Sequence, residues 1–489
     1  MSKRKETTTA PEPLEEYVRP FDSLFEKWNQ RESFRCYLEG LLLPTERNKT
    51  LTGLANTEPV VGAQDRQAQF LQWFLCESDW DERTVQNQRL QMLLSDPLTV
   101  PSEHGVLVID EHGDRKAGTH MAHVGRQYLG NLGKVYNGVV SVTSLWADEG
   151  IYYPVDFEPY TPAHHYEKGE KDPGFRTKLK IALQLVNRAM EVGIPFRAVV
   201  ADSFYGEDYS LRQELRALQK AYVLALKPSH NWWHAEATLG SLQEVAQAAG
   251  WKSADQPGQW VKVERTFRDG SKQTWWALHV KAGPYGPDKT ERAVIATTDP
   301  ATLPDTSTWY LVTNLPAPGS PTAEQSPLVA ASLEEVIRLY GLRMWIEQSY
   351  KQVRGTLGWS QYQVRSDRAI RRHWQLVCCA FSFCWYHHSH SLDFSDSAGR
   401  RVAGARPRAN KNRLLRISQQ AGKKMSDSVA DRPFLCWPKA LRKVRAWLEP
   451  WTLLQRYWRA WSAQPPPLAL QQLLDALALG VPLFLYNSS

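Results

Sequence analysis

Two short apolar runs in this chain each end in an aspartate: Val106-Leu-Val-Ile-Asp110 and Ala198-Val-Val-Ala-Asp202. Such runs read as interior strands with an acid at one end. Acids at the ends of neighbouring strands face the same edge of an α/β sheet, which is where open sheets bind ligands. A third carboxylate, Glu347, falls in a helical stretch that would complete an oxygen-only set if packed across that edge. Oxygen ligands suit Mg2+ or Mn2+, hard ions that keep positions open for water and phosphate oxygens. Two such ions about 4 Å apart stabilise both the entering and the leaving oxygen of an in-line phosphoryl transfer. That is the chemistry of cutting and joining nucleic acid strands. Paired carboxylates also serve glycoside hydrolysis. The 20 tryptophans, among them Trp232, Trp233, Trp275 and Trp276, would suit sugar stacking. This rival predicts neither metal dependence nor DNA affinity.

Cations surround the third carboxylate. Arg343, Glu347, Lys351 and Arg354 recur at helical spacing and share one face, either holding phosphates beside the acid or pairing with it as an ordinary surface. Tyr340 lies one step further back, placed to meet a phosphate or a displaced base, or else to be a half-buried aromatic. Trp345 reads as core. Further on, the stretch from Arg400 to Lys424 contains Arg406, Arg408, Lys411 and Arg413 among its nine cations and has no acid. It reads as a phosphate-contacting segment or as a solvated linker. The whole chain has 59 Lys and Arg against 52 Asp and Glu, a net +7 that permits a polyanionic partner without requiring one. His373, Cys378, Cys379, Cys384, His387, His388 and His390 crowd one segment, but their spacing matches no common zinc site and apolar residues surround the cysteines. No Walker A loop or dinucleotide fingerprint is present, so no nucleotide cofactor is expected.

The elements that must position these groups follow from periodicity. Residues 1–16 form a polar tail without the apolar core of a secretory signal, and 17–100 read as a helical N-terminal domain. Strands are expected at Val106–Asp110, about His123–Tyr128, Tyr136–Leu145, Ala198–Asp202 and Ala221–Leu226. Helices are expected at Gly174–Gly193 and Tyr209–Leu218. This alternation gives an α/β core over 104–230. From 231 to 328, Gly, Pro and Trp mix with strand-like stretches, which reads as a mostly β insertion. Core structure resumes over 329–392 with one long helix from a Ser332–Glu335 capping box to about Thr356, then another at Ile370–His388. Residues 393–489 form a basic linker and a helical C-terminal region. With 42% hydrophobic residues the core is well supplied, and six scattered cysteines suit a reducing cytosol. No apolar run is long enough for a membrane helix.

Three blocks resemble the catalytic motifs of DDE transposases from bacterial insertion sequences, in their expected order. The first is Ile109-Asp-Glu-His-Gly113 with Gly125-Arg-Gln-Tyr-Leu-Gly-Asn-Leu-Gly-Lys-Val-Tyr-Asn137. The second is Ala201-Asp-Ser-Phe-Tyr-Gly206, and the third is Tyr340-Gly-Leu-Arg343 followed by Met-Trp-Ile-Glu347. The third resembles the Tyr-x2-Arg-x3-Glu signature of the cut-and-paste branch. Its closing Lys is replaced by Arg354, and Arg115, Lys116 and Ala117 stand where relatives often have paired lysines. The resemblance implies an RNase H-like core interrupted by a β insertion, with Asp110, Asp202 and Glu347 as catalytic metal ligands for two Mg2+ or Mn2+ ions. It also implies terminal inverted repeats and target DNA as partners, with 17–100 as a DNA-binding domain that grips terminal DNA together with the basic segment, a homodimer that pairs two ends, and a bacterial cytoplasmic protein that joins the nucleoid when bound to DNA. A transposase-derived protein that binds DNA without cutting is the non-enzyme alternative, and it has no need of all three carboxylates.

Overall fold

The structure is a computed structural model and describes residues 10–44, 49–55, 66–234, 238–267, 271–280, 291–401, 436–462 and 464–482. The chain divides into two compact units, Pro101–Lys351 and a second made of Met1–Val100 with Gln352–Ser489. This differs from the expected division near residue 392, because the helices after residue 352 pack with those before residue 100.

Among the described residues the first unit has twelve strands: β1 (Val106–Arg115), β2 (Gly125–Leu129), β3 (Lys134–Ala147), β4 (Tyr152–Tyr160), β5 (Ala198–Ala201), β6 (Tyr222–Ala225), β7 (Asn231–His234), β8 (Thr238–Ser241), β9 (Val261–Thr266), β10 (Lys272–Val280), β11 (Arg292–Thr297) and β12 (Thr308–Thr313). β1, β3 and β4 form an antiparallel meander, whereas β5 and β6 run parallel to β1, giving the core order β4-β3-β1-β5-β6. This is the RNase H-like arrangement that the resemblance implies. The β4 strand lacks a clean apolar alternation in sequence because Asp156 and Glu158 are buried in it, held by Arg188 and by Arg176 and Arg188 respectively. These arginines belong to or precede the helix Lys178–Glu191. Its N-cap, Thr177, accepts from the Lys180 amide, and Ile181, Leu185, Val186 and Ala189 are buried.

The mostly β segment from 231 onward, inserted between β6 and the helix Leu333–Gly341, lengthens the core sheet. β12 pairs antiparallel with β6, and β11, β10 and β9 follow in turn, so one ten-stranded sheet runs from β2 to β9; β7 and β8 form a small hairpin of their own. Trp275, Trp276 and Trp232 are buried and Trp233 is half-buried, so these rings do not form an open surface for a sugar to stack on. Trp275 instead belongs to an apolar cluster with Val263, Ala277, Ala296 and Ile337 that seats the helix Leu333–Gly341 on the added strands. A buried Arg212–Glu291 ion pair at 2.8 Å, with the Tyr222 hydroxyl donating to the same carboxylate, ties the added strands to β6. Glu291→Ala would leave Arg212 buried without its partner, so thermal unfolding should show a loss of about 3–5 kcal/mol. A loss below about 1 kcal/mol would mean that the pair is not what joins the two halves of the sheet.

The expected single helix from Ser332 to Thr356 is two, Leu333–Gly341 and Met344–Gly355. Ser332 accepts from the Glu335 amide, but the Glu335 side chain pairs with Arg197 rather than closing a capping box. The break has its cause on a strand, β9. Arg265, stacked over Trp309 and Trp275, donates to the Gly341 carbonyl, and a Cβ at Gly341 would lie 2.4 Å from its guanidinium. The first helix therefore ends where the arginine takes its terminal carbonyl.

The second unit is helical. The helix Asp367–Arg401 packs against Trp28–Leu42, Glu82–Ser95 and Trp437–Trp461. Buried in it, His373 bonds the Tyr37 hydroxyl and the Gly358 carbonyl, and Arg372 donates to carbonyls of Leu75, Ser78 and Trp80. Cys378, Cys379 and Cys384 are buried free thiols. This segment is packing, as the apolar neighbours of its cysteines suggested.

Candidate active site

The parallel pairing of β1 with β5 sets Val106 beside Ala198, Leu107 beside Val199 and Val108 beside Val200. The same offset carried two residues further brings Asp110 beside Asp202. β5 ends at Ala201, so Asp202 caps the short helix Ser203–Gly206, its Oδ1 accepting from the Phe204 amide at 3.0 Å. That turn fits only because Gly206 lacks a side chain: a Cβ there would fall 1.8 Å from the Ala225 carbonyl oxygen. The glycine of the second motif is thus explained by the close approach of β6.

Glu347 reaches the same place from the helix Met344–Gly355. Arg343, at the break between the two helices, donates through Nη2 to Asp110 Oδ2 at 3.2 Å and through Nη1 to Glu347 Oε1 at 3.0 Å. One guanidinium therefore bridges the first and third carboxylates. The Arg343–Glu347 pair that helical spacing allows is present, and the same guanidinium also reaches Asp110, which is 8% exposed. Burial pushes the Asp110 carboxyl up to about 7; Arg343 opposes this and the nearby Asp202 adds to it. Burial would lower the Arg343 guanidinium, but Asp110, Tyr340, Asp202 and Glu347 together hold it above its usual range. Tyr340 is buried, packs edge-on against Trp309 and is pushed up to about 12 by burial.

Two contacts that the sequence did not reveal fix the Glu347 helix over the sheet. Trp345 stacks on Tyr152 of β4, with ring centroids 4.6 Å apart. The Tyr350 hydroxyl bonds Thr143 Oγ1 at 2.6 Å, and its ring lies 4.7 Å from that of His112. Thr143 is the residue directly opposite Asp110 in the β1–β3 register. Tyr350 thus sets the height of Glu347 above Asp110, one turn of helix away. Only the fold makes it visible, because nothing in the sequence pairs residues 143 and 350. Tyr350→Phe should lower cleavage about tenfold, with the half-saturating metal concentration rising, while Thr143→Ser keeps the bond and near-normal activity. Equal activity of Tyr350→Phe and wild type across a metal titration would remove this role.

Of the other expected site residues, Lys351 is exposed one turn beyond Glu347, and Arg354 is half-buried on the last turn of that helix, in the other unit. Arg406, Arg408, Lys411 and Arg413 lie outside the described residues.

The donor set fits a hard divalent ion. Asp110, Asp202 and Glu347 offer only oxygen, and a guanidinium supplies the compensating charge between two of them. The fully buried Tyr205 hydroxyl, which feels the charges of Glu111, Asp110 and Asp202, has no hydrogen-bond partner among the described residues. With Arg343 in this position, no three acidic or histidine side chains among the described residues already form a metal cage. An ion held by these carboxylates would compete with the arginine for the same oxygens.

Comparison with known proteins agrees with this geometry. The family model described as DDE superfamily endonuclease matches residues 20–281, a span that includes Asp110 and Asp202 and stops before Glu347. A protein of Microchaete diplosiphon described as a probable transposase for insertion sequence element IS701 is 32% identical over 352 residues, 72% of this chain and 81% of that one. With two aspartates in register at the mouth of an RNase H-like sheet and a glutamate on the helix above them, the chain belongs to the DDE superfamily of endonucleases and is an insertion-sequence transposase.

Proposed function

We propose that the protein binds the terminal inverted repeats of its own element, cuts at their ends and joins the freed 3′-hydroxyls to target DNA. The observation that carries this reading is the Asp110–Arg343–Glu347 bridge beside Asp202. It gathers an oxygen-only ligand set and a phosphate-binding cation at one sheet edge. In the first step, water adds to the phosphorus at the element end and the 3′-oxygen leaves, taking a proton. In the second, that 3′-hydroxyl attacks a target phosphodiester and displaces its 3′-oxygen, so no covalent enzyme intermediate is required. Asp110, Asp202 and Glu347 would hold a pair of divalent ions, Mg2+ or Mn2+, whose charge polarises the phosphate and favours the attacking and leaving oxygens. Arg343, freed from Asp110 by such binding, and the exposed Lys351 would hold phosphate oxygens. Arg354, Tyr340 and the basic cluster Arg406, Arg408, Lys411 and Arg413 would extend the DNA contact, together with the helical N-terminal region. A homodimer would cut both ends in concert.

The test is cleavage and joining of labelled element-end DNA with Mg2+ and with chelator. Metal-dependent cutting at the end, followed by joining, supports the reading; end binding without cutting in any divalent metal favours a DNA-binding role alone.

Metal binding also has a pH signature. The folded Asp110 pKa of about 7 lies above its ordinary 3.8, so the folded state holds a proton that the unfolded state releases between these values. Without metal, the Asp110 contribution therefore destabilises the fold as pH rises from about 4 to 7. An ion must displace that proton. The rise in melting temperature on adding Mg2+ should accordingly be larger at pH 8 than at pH 6, as read by a thermal shift assay. A shift independent of pH would mean that Asp110 is not a ligand.

A further inference from the structure

β1 continues past Asp110 to Arg115, paired with β3 back to Gly138, and the first residues of β3 pair with β2 across a short turn. Directly opposed residues of an antiparallel pair point to the same face, and alternate residues along a strand return to it. Both registers are unbroken. The face that carries Asp110 and Thr143 therefore carries Asn137 and Val135 and, opposite them on β2, Arg126 and Tyr128.

This end of the face is open. Arg126 is exposed, and Tyr128 and Val135 are 55% and 51% exposed, while Gln127 and Leu129 turn inward and are buried. The strands that form it have no Asp or Glu between Asp114 and Asp148; Arg126 lies on this face, while Arg115, opposite Gly138, and Lys134, opposite Leu129, add their positive charge from the other face. At about 3.3 Å per residue, the six and eight positions from Thr143 to Asn137 and Val135 put Arg126 and Tyr128 roughly 20 and 26 Å along the strand from the Asp110 level. Duplex DNA rises about 3.4 Å per base pair, so the same span covers roughly six to eight pairs.

We propose that the β2–β3 hairpin is a second DNA contact built on the catalytic sheet. Arg126 holds a backbone phosphate and Tyr128 packs on an adjacent sugar or base, roughly six to eight base pairs from the phosphate that is cut. The inference rests on reading Asp110, Asp202 and Glu347 as the cutting site. Cationic charge without acids favours DNA over a second copy of this chain, since a symmetric contact would bring two like-charged hairpins together.

The test uses the full-length protein with a photo-crosslinking amino acid in place of Tyr128, bound to labelled element-end DNA. A crosslink to DNA roughly six to eight base pairs from the cut is expected. Arg126→Ala should reduce the slope of log binding constant against log salt by about one, whereas the full slope should persist in Asp110→Ala. Both hairpin side chains are exposed, and an unchanged melting temperature checks the fold. A crosslink to a second protein chain, a crosslink to DNA at another distance, or an unchanged slope with no crosslink overturns the proposal while leaving the cutting site untouched. A wild type that binds no DNA overturns the functional reading itself.

Discussion

Asp110→Ala, Asp202→Ala and Glu347→Ala should each slow both end cleavage and joining by at least about 10³-fold, or about 4 kcal/mol of barrier, without loss of end binding. As ligands of one site the three would act as a unit, so double replacements should cost little more than single ones. The side chains differ in what else they do. Asp202 caps the turn Ser203–Gly206, and Asp110 accepts the Glu111 amide and Arg343, whereas Glu347 is 55% exposed and bonds Arg343. Glu347→Ala should therefore leave the melting temperature nearly unchanged, and Asp202→Asn is the milder test at its position because an amide oxygen still caps the turn. Single-turnover assays on labelled ends, with binding measured in parallel, decide the matter. A variant that cuts at the wild-type rate is not a ligand.

Arg343→Ala should separate two roles that coincide in this residue. Where the guanidinium bridges Asp110 and Glu347, it competes with any cation for their oxygens, so its loss should strengthen metal binding in the DNA-free protein. It is also the half-buried cation that contacts these carboxylates, and its loss should slow cleavage about 10²-fold or more, as removal of an oriented donor does elsewhere. Arg343→Lys keeps the charge but not the fork that spans two carboxylates, so it should recover only part of the rate. Metal titration by thermal shift and single-turnover cleavage measure the two effects separately. Stronger metal binding with an undiminished rate would confine Arg343 to holding the metal-free site together.

The added strands β9–β12 bear on the same residue. They seat the helix Leu333–Gly341 through Val263, Trp275 and Ala296, and Arg265 ends that helix at Gly341, two residues before Arg343. Extending the central sheet thus decides where the bridging arginine begins, and Trp275, one of the tryptophans that invited a carbohydrate reading, is part of its foundation.

Much of this was legible in the sequence. The runs ending in Asp110 and Asp202 are apolar because both faces of those strands are covered, so their strand character and the acids at their ends could be read directly. The three motif blocks, in order, gave the family and the third carboxylate. The glycines of two blocks stand where backbone or guanidinium approaches too closely for a Cβ. Tertiary structure alone decided the rest, for one physical reason: periodicity reports which face of an element is buried, not what it is buried against. β4 was hidden because its buried acids are neutralised by Arg176 and Arg188, which precede and belong to a later helix. The break at Leu342–Arg343 was hidden because its cause, Arg265, lies on a strand far away in the chain. The pairing of Asp110 with Asp202 needed the β1–β5 register, and the height of Glu347 needed Thr143 to stand opposite Asp110 and beneath Tyr350. The sequence determined which chemical groups are present and on what kind of element; only the folded sheet decided which of them meet.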